Sequence, residues 1–360
     1  MNILIMSHTR DCSVFKIGSH HYANNLEKIG YNITYMGIPH SLIHKVIRGK
    51  SQGTNKLNNS IINFNPFVIF PMTMHYNKIV NFVNFMTIYL SKKSILKKEF
   101  DVIICDYPFF VPLLKKINYK KLIYRPTDNY EEMSGQKVTK YEKEMCSIAS
   151  GIISTSDKVS NDLSNKYKIN SSKLYVIPNG FDDEFFYTDC NVSRNGIVYV
   201  GAIDNRFDFD AVNYLASKID DINIDIYGPV NNEFREEILE ISSKGKVNLK
   251  GVIEYNNLKD ILNHYRVGIL PLNSHPSNKG RSPMKLWEYI SCGLKVIYSE
   301  IEDIEEIDGV YKYTGLEDFV EKVRKALDDE TPLPNYILKD KTWRNKTKIL
   351  SGIISNLPEN

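Results

Sequence analysis

The feature that most constrains this chain is a repeated cadence: short apolar runs alternate with longer stretches of helical periodicity, and the pattern starts afresh at mid-chain. The first cycle opens with Ile3 to Met6, a polar loop from Ser7 to Asp11, a helical stretch reaching Lys28 and a second apolar run from Asn32 to Met36. Together these read as β-α-β. Further strands are predicted at Asp101 to Cys105, Lys121 to Tyr124, Gly151 to Thr155 and Leu174 to Ile177. Pro178-Asn179-Gly180-Phe181-Asp182 is turn chemistry, and the second cycle begins after it at Gly196 to Val200. That cycle continues at Asn223 to Tyr227, Val247 to Leu249, Val267 to Pro271 and Leu294 to Tyr298. Two successive doubly wound α/β units with a cleft between them is the architecture this order implies. The expected domains are residues 1–185 and 186–335, with a tail at 336–360 that reads as a closing helix. Residues 49–60, rich in Gly, Ser and Asn, read as a loop.

A length of 360 residues allows each unit its own core, and 42% hydrophobic with 25% charged residues is a globular composition. No basic segment precedes a long apolar stretch at the start, and no run reaches the roughly 18 apolar residues of a spanning helix. The expected location is therefore cytoplasmic. Cys12, Cys105, Cys146, Cys190 and Cys292 are scattered and odd in number, which signals neither a disulfide framework nor a zinc site.

The net charge of +3 hides an asymmetry: residues 1–180 carry 24 Lys/Arg against 12 Asp/Glu, and residues 181–360 carry 22 against 31. Lysine pairs at 92–93, 97–98, 115–116 and 120–121 contribute to the basic half. They read either as solvated helix ends or as a surface for an anionic membrane or polyanionic acceptor. Between Ile61 and Lys93 the chain is unusually apolar, and Ile79, Phe82, Val83 and Met86 share a helical stripe. A core helix is the default reading; an exposed surface for a lipid-linked acceptor is the alternative.

The most informative stretch is Asn278-Lys279-Gly280-Arg281-Ser282-Pro283-Met284-Lys285-Leu286-Trp287-Glu288-Tyr289-Ile290-Ser291-Cys292-Gly293. Ser282 suits an N-cap, Pro283 the first helical position and Gly293 the residue after the helix. Yet Lys279, Arg281 and Lys285 crowd an end where the helix dipole is already positive and Asp or Glu is expected. A bound anion resolves that conflict, since helix N–H groups supplemented by a lysine make a diphosphate site. Lys285 and Glu288 share one face, which allows the carboxylate to take ribose hydroxyls while the ammonium meets phosphate or a sugar carboxylate. A Lys/Glu pair on a core-capping helix is the plainer reading of the same residues.

Met-Lys-x-x-Glu-Tyr-x-x-x-Gly followed by an apolar strand resembles the donor-site helix of GT-B glycosyltransferases, and in particular the xanthan-type, GumK-like glucuronosyltransferase group. Val198-Tyr199-Val200-Gly201-Ala202-Ile203 with Arg206-Phe207-Asp208 resembles the opening strand and loop of that family's nucleotide domain. Ile226-Tyr227-Gly228-Pro229 is similar to its second strand, and Pro178 to Asp182 to the linker entrance of the wider class. The likeness covers roughly residues 100–300 and is diffuse before residue 100. It implies a GT-B fold of two Rossmann-like domains facing a cleft, with the donor held by Gly201, Arg206, Tyr227, Arg281, Ser282, Met284, Lys285 and Glu288. It further implies a UDP-sugar co-substrate, UDP-glucuronate first, and a glycan or lipid-linked acceptor in capsule or exopolysaccharide synthesis. No separate cofactor is expected.

Many retaining members carry a second glutamate eight residues before the helix glutamate, and here that position is Gly280. Weight shifts to inversion, which needs a base for the acceptor hydroxyl. Asp128, in Tyr124-Arg125-Pro126-Thr127-Asp128-Asn129-Tyr130 after a strand's carboxyl end, is the first choice, and a similar segment in the xanthan-type group bears its proposed base. Capping of a helix that starts at Asn129 is the competing role for Asp128. His20 and His21 are the fallback, Arg125 is an acceptor-side candidate, and His8, Asp106 and Asp11 also follow strands.

Asp208-Phe209-Asp210 matches a metal-binding Asp-x-Asp but falls where a helix begins, so no metal is assigned. Gly49-Lys50-Ser51 lacks the earlier P-loop glycine, that position being His44, and no Gly-x-Gly-x-x-Gly occurs. The rival readings are a non-catalytic UDP-binding module and a nucleotide-sugar epimerase. Neither nucleic acid nor a spanning segment is expected, and peripheral contact with an anionic membrane through the basic half is.

Overall fold

A computed structural model describes residues 1–13, 15–43, 57–72, 77–219, 222–302 and 304–359. Gly49, Lys50 and Ser51, and with them most of the Gly/Ser/Asn-rich loop, lie outside the described residues. The chain divides into two compact units: Met1–Pro178 with Lys346–Asn360, and Asn179–Asn345.

The first unit runs β1 (Asn2–Met6), α1 (Gly18–Lys28), β2 (Asn32–Met36), β3 (His40–Ser41), β4 (Ile62–Asn63), β5 (Phe67–Val68), α2 (Lys78–Leu96), β6 (Glu99–Cys105), α3 (Val111–Leu114) and β7 (Asn118–Tyr124). It continues through α4 (Tyr130–Ser134), α5 (Lys137–Ile148), β8 (Gly151–Ser154), α6 (Asp157–Tyr167) and β9 (Leu174–Val176). Seven strands form one sheet in the order β4-β2-β1-β6-β7-β8-β9, and β3 pairs with β5 apart from it. Every pairing in the sheet is parallel. Ile3, Leu4, Ile5 and Met6 are all buried, because a parallel sheet covered by helices hides both faces of its central strand. The order reverses between β1 and β6, and that switch point is where doubly wound sheets bind ligands.

The second unit runs β10 (Ile197–Val200), α7 (Phe209–Lys218), β11 (Ile224–Tyr227), α8 (Arg235–Ser243), β12 (Val247–Gly251), α9 (Tyr255–Leu262) and β13 (Val267–Leu270). It ends with α10 (Met284–Ser291), β14 (Lys295–Tyr298), β15 (Val310–Lys312), α11 (Leu316–Asp328) and the start of α12 (Trp343–Asn356). Its six parallel strands lie in the order β12-β11-β10-β13-β14-β15, which puts the switch point between β10 and β13. The rest of α12 returns to the first unit, where Lys121 Nζ donates to the Ile354 carbonyl at 3.0 Å and Tyr31 Oη meets Ser351 Oγ at 2.7 Å. Leu357 fills the space over Gly151, where a Cβ would stand 2.8 Å from the leucine Cδ2.

The core-helix expectation for the stripe on α2 is overturned. Ile79 and Phe82 are 72% and 64% exposed, while Val80, Asn84 and Ile88 on the opposite face are buried. The buried asparagine explains the choice: Asn84 Oδ1 accepts from Phe70 N at 3.0 Å and Asn84 Nδ2 donates to Phe70 O at 2.9 Å. An amide that satisfies a backbone pair can go inside, so hydrophobic periodicity alone picked the wrong face.

Candidate functional site

In the second unit, the pairing of β10 with β13 stops after Val198 and Gly268. The opened gap is filled from α10 by Tyr289. Its hydroxyl accepts the Val200 N–H at 2.7 Å, and its ring lies so close to Gly268 that a Cβ there would stand 2.3 Å from the ring Cδ2. With Leu286, Trp287 and Ile290 also buried, α10 is pinned at the carboxyl end of the switch point. The residues set by this anchoring are Lys285 and Glu288. Lys285 Nζ donates to Glu288 Oε2 at 2.5 Å, with the glutamate side chain 3% and the lysine 25% exposed.

The cap of α10 differs from expectation. Pro283 takes the N-cap position with no side-chain hydrogen bond, and the first turn holds no acidic residue. Ser282 is instead turned toward the start of the unit: Ser282 Oγ accepts from Asn179 N and Ser282 O accepts from Asn179 Nδ2, both at 2.8 Å. Met284 is half-buried at the first helical position. The unsatisfied positive end expected of this helix is therefore present, without the serine cap. Gly280 has φ 76°, a left-handed conformation in which a glutamate would be strained.

A second loop meets this helix. Buried Asn278 donates to the Arg206 carbonyl at 3.0 Å and accepts from Arg281 Nη1 at 3.3 Å, which ties the loop after β10 to the loop before α10. Arg206 is clamped by Asp204, with Nη2 to Oδ2 at 2.6 Å. Asp204 lies below the usual carboxylate range: burial pushes it up, and the bonds and charge of Arg206, with Arg281 behind, pull it down by more. Gly201 belongs to the same corner. Gly228, at φ 149°, allows the β11 turn to approach so closely that a Cβ would fall 1.8 Å from the Gly201 carbonyl oxygen. The hydroxyl of Tyr227 is committed elsewhere, to Tyr265 at 3.1 Å, which in turn donates to Asp225 at 2.6 Å. The structure thus gathers Gly201, Arg206 and Arg281 at one corner, and Lys285 and Glu288 on the helix that follows it. Asp208 caps α7, its Oδ1 accepting from Ala211 N at 2.9 Å.

In the first unit, a polar cluster sits at the β1/β6 switch point. Asp106, 1% exposed, accepts from Ser7 Oγ at 2.8 Å, Ser19 Oγ at 2.6 Å and His8 N at 2.8 Å, and its Oδ1 lies 3.3 Å from His8 Nδ1. Burial raises its pKa, but the charge of His8 and the bonds from His8, Ser19 and Ser7 hold it below the usual carboxylate range. Burial likewise pulls the His8 pKa down, and Asp106, helped by Asp128, raises it by more, leaving it above the ordinary imidazole value. Asp128 is half-buried beside this pair, its Oδ2 accepting from Thr127 Oγ1 at 3.1 Å. The capping role that competed for Asp128 belongs to Asn129, whose Oδ1 accepts from Glu131 N and Glu132 N. Arg125 is 1% exposed, its guanidinium 5.0 Å from the ring centre of Tyr22.

His20 is corrected as a fallback base. Its Nδ1 accepts from Ile17 N at 3.1 Å, its Nε2 lies 2.7 Å from the Arg10 carbonyl and its ring stacks on Tyr35. Burial lowers its pKa to about 4, so it is a neutral structural residue with both nitrogens engaged. His21 is buried on the same helix. His8 and Asp106, marked in the sequence only as residues that follow strands, are brought together by the fold. The available signal was two titratable residues within two positions of a strand end; that these strands flank the reversal of strand order is seen only in the fold. Asn278 carried no sequence signal of its role, and Tyr289 stood out only as a member of the Met-Lys-x-x-Glu-Tyr motif, because what each side chain holds is tertiary.

The family model described as "Glycosyltransferase Family 4" matches residues 65–185, and the one described as "Glycosyl transferases group 1" matches residues 194–329. TuaH of Bacillus subtilis (strain 168), provisionally named a teichuronic acid biosynthesis glycosyltransferase, is 26% identical over 206 residues. That stretch is 51% of this chain and 50% of TuaH, so the chain matches about half the length of this curated relative. Among solved structures, Anabaena Alr3699/HepE in complex with UDP and glucose aligns with TM-score 0.69 and 11% identity, over 99% of each chain. Sucrose-phosphate synthase from Thermosynechococcus elongatus aligns with TM-score 0.67 and 13% identity, over 98% of this chain and 95% of that one. At such identities these likenesses establish the fold, which is GT-B. Two Rossmann-like units, with a family 4 segment followed by a group 1 segment, make this chain a member of the GT-B glycosyltransferases.

Proposed function

We propose that the protein transfers a sugar from a UDP-sugar, UDP-glucuronate first, to a glycan or lipid-linked oligosaccharide in surface polysaccharide synthesis. The observation that carries this reading is the Lys285–Glu288 pair at 2.5 Å on a helix that Tyr289 pins to the β10/β13 switch point. Arg281 and Lys279 stand just before it, and no acidic side chain caps it. Diphosphate suits the helix N–H groups and lysine, ribose hydroxyls suit the glutamate, and a uronate carboxylate suits the remaining cations. The presence of UDP in HepE and the name of TuaH support the donor and pathway class. Inversion is favoured by Gly280, whose left-handed backbone disfavours the glutamate found there in retaining relatives. Metal independence is favoured by Asp208, which is committed to capping α7. Contact with an anionic membrane through the basic first unit is part of the same reading.

The base is assigned to Asp128, which no cap holds. His8, paired with Asp106 at 3.3 Å, is the second reading that a specific observation favours. The acid limb of the kcat/KM profile tests the second reading, since an imidazole base whose pKa is raised places that limb above 6.5. For the donor, a panel of UDP-sugars is tested by thermal shift and by slow donor hydrolysis. A ligand at about 100 times its Kd adds ~2.7 kcal/mol, or roughly 5–10 °C. No shift with any UDP-sugar removes the donor assignment. Shift without turnover in the presence of an acceptor favours a binding module, and donor turnover without transfer favours an epimerase.

A further inference from the structure

The outward stripe of α2 extends beyond Ile79 and Phe82 to Leu90, which is 78% exposed, with Val83 and Met86 half-buried along the same line. The helix cannot hide these residues by rolling, since Asn84 on its inner face is locked to the backbone of Phe70. A soluble helix normally turns charge outward, and this one presents large apolar side chains over several turns. Its charge setting is equally one-sided. From Lys28 to Lys98 the chain contains ten Lys or Arg and no Asp or Glu. Lys78 and Lys97 are exposed at the two ends of α2, and Lys116 Nζ lies 5.7 Å from the Phe85 ring centre. On neighbouring elements, Glu144 is paired with Lys115 and Asp101 with Lys120. Among the described residues no helix is long and apolar enough to cross a membrane.

We propose that α2 is the element by which the protein lies on an anionic phospholipid bilayer, with Ile79, Phe82 and Leu90 entering the headgroup boundary and the flanking lysines meeting lipid phosphates. An apolar face with cations at both ends and no acidic residue in the helix, the first carboxylate after it being the exposed Glu99, is the chemistry an interfacial helix needs. This deepens the membrane contact of the reading above and rests on it, without depending on the donor sugar.

The test is cosedimentation of the full chain with vesicles of phosphatidylglycerol and phosphatidylcholine, against phosphatidylcholine alone. Binding is expected to the first only, and to weaken in molar salt as screening shortens. The double substitution Phe82→Ser with Leu90→Ser is expected to lower the partition coefficient about tenfold or more, as two large apolar groups leave the interface. Leu239→Ser, at an exposed leucine of the second unit, should change nothing. Leu90→Trp supplies a readout that needs no loss of binding: its emission should shift to the blue on phosphatidylglycerol vesicles only. Equal binding to neutral vesicles, full binding by the double variant or an unshifted Leu90→Trp spectrum overturns the proposal. So does a wild-type dimer in sedimentation velocity that the double variant abolishes, which would make the stripe a protein interface. The UDP-sugar thermal shift is read on the same variants and should be unchanged, so failure of the membrane proposal and failure of the donor reading are separate results.

Discussion

Replacing Asp106 by Asn keeps the side-chain shape and removes the charge on which the first unit's cluster depends. Asp106 accepts two serine hydroxyls and the His8 N–H, and faces His8 Nδ1. Hydrogen bonds to a charged acceptor contribute about 1.5–3 kcal/mol each, but the serine hydroxyls can rotate to accept from the new amide. The expected net loss is therefore about 2–4 kcal/mol at neutral pH, or a fall of roughly 5–15 °C in Tm. The pH dependence follows from the directions of the two shifts. His8 is raised above 6.5, so its contribution is complete below that value and is lost as pH rises through the raised folded value. Asp106 is depressed below 3.8, so its contribution is complete above that value and is lost as pH falls through the folded value. The wild type should exceed the variant most between about pH 4 and 6.5, with the gap narrowing toward alkaline pH. In the variant, burial acts on His8 with only Asp128 opposing it, and the His8 pKa should drop below 6.5. Proton NMR titration of His8 and denaturant unfolding at several pH values measure both effects. A His8 pKa that stays above 6.5 in the variant, or a stability gap that widens above neutral pH, refutes the assignment of Asp106 as the group that charges His8.

Lys285→Ala should weaken UDP-sugar binding by about 1.5–3 kcal/mol in calorimetry, the range of a charge-assisted hydrogen bond, and unchanged affinity would remove the anion role. Gly268→Ala should destabilise the second unit by about 2–4 kcal/mol, because a Cβ 2.3 Å from the Tyr289 ring displaces it and frees the Val200 N–H. The same change in a Tyr289→Leu background should cost much less, and additive losses would show that the ring contact is not the cause. Asp128→Asn should abolish transfer while leaving UDP affinity nearly unchanged; if activity persists and His8→Gln abolishes it, the base is His8.

The order of strands and helices was legible from the chain because a doubly wound sheet buries its central strands on both faces, so each appears as a short unbroken apolar run. Ile3 to Met6, Asn32 to Met36 and Gly196 to Val200 lie within a residue of their observed bounds. Strands as short as His40–Ser41 and Ile62–Asn63 left no such run, being two residues each with exposed positions. The helix proposed to hold the donor stood out in the sequence through its charges, since cations at a positive helix end are a local anomaly. What the tertiary structure decided is which polar groups meet across long separations in sequence. It turned Ser282 from capping α10 to holding Asn179, buried Asn84 in place of the apolar stripe of α2, and joined His8 to Asp106 across the switch point. Periodicity and capping rules describe a segment alone; the partner of a buried polar group comes from another segment, and only the packed fold brings the two within hydrogen-bonding distance.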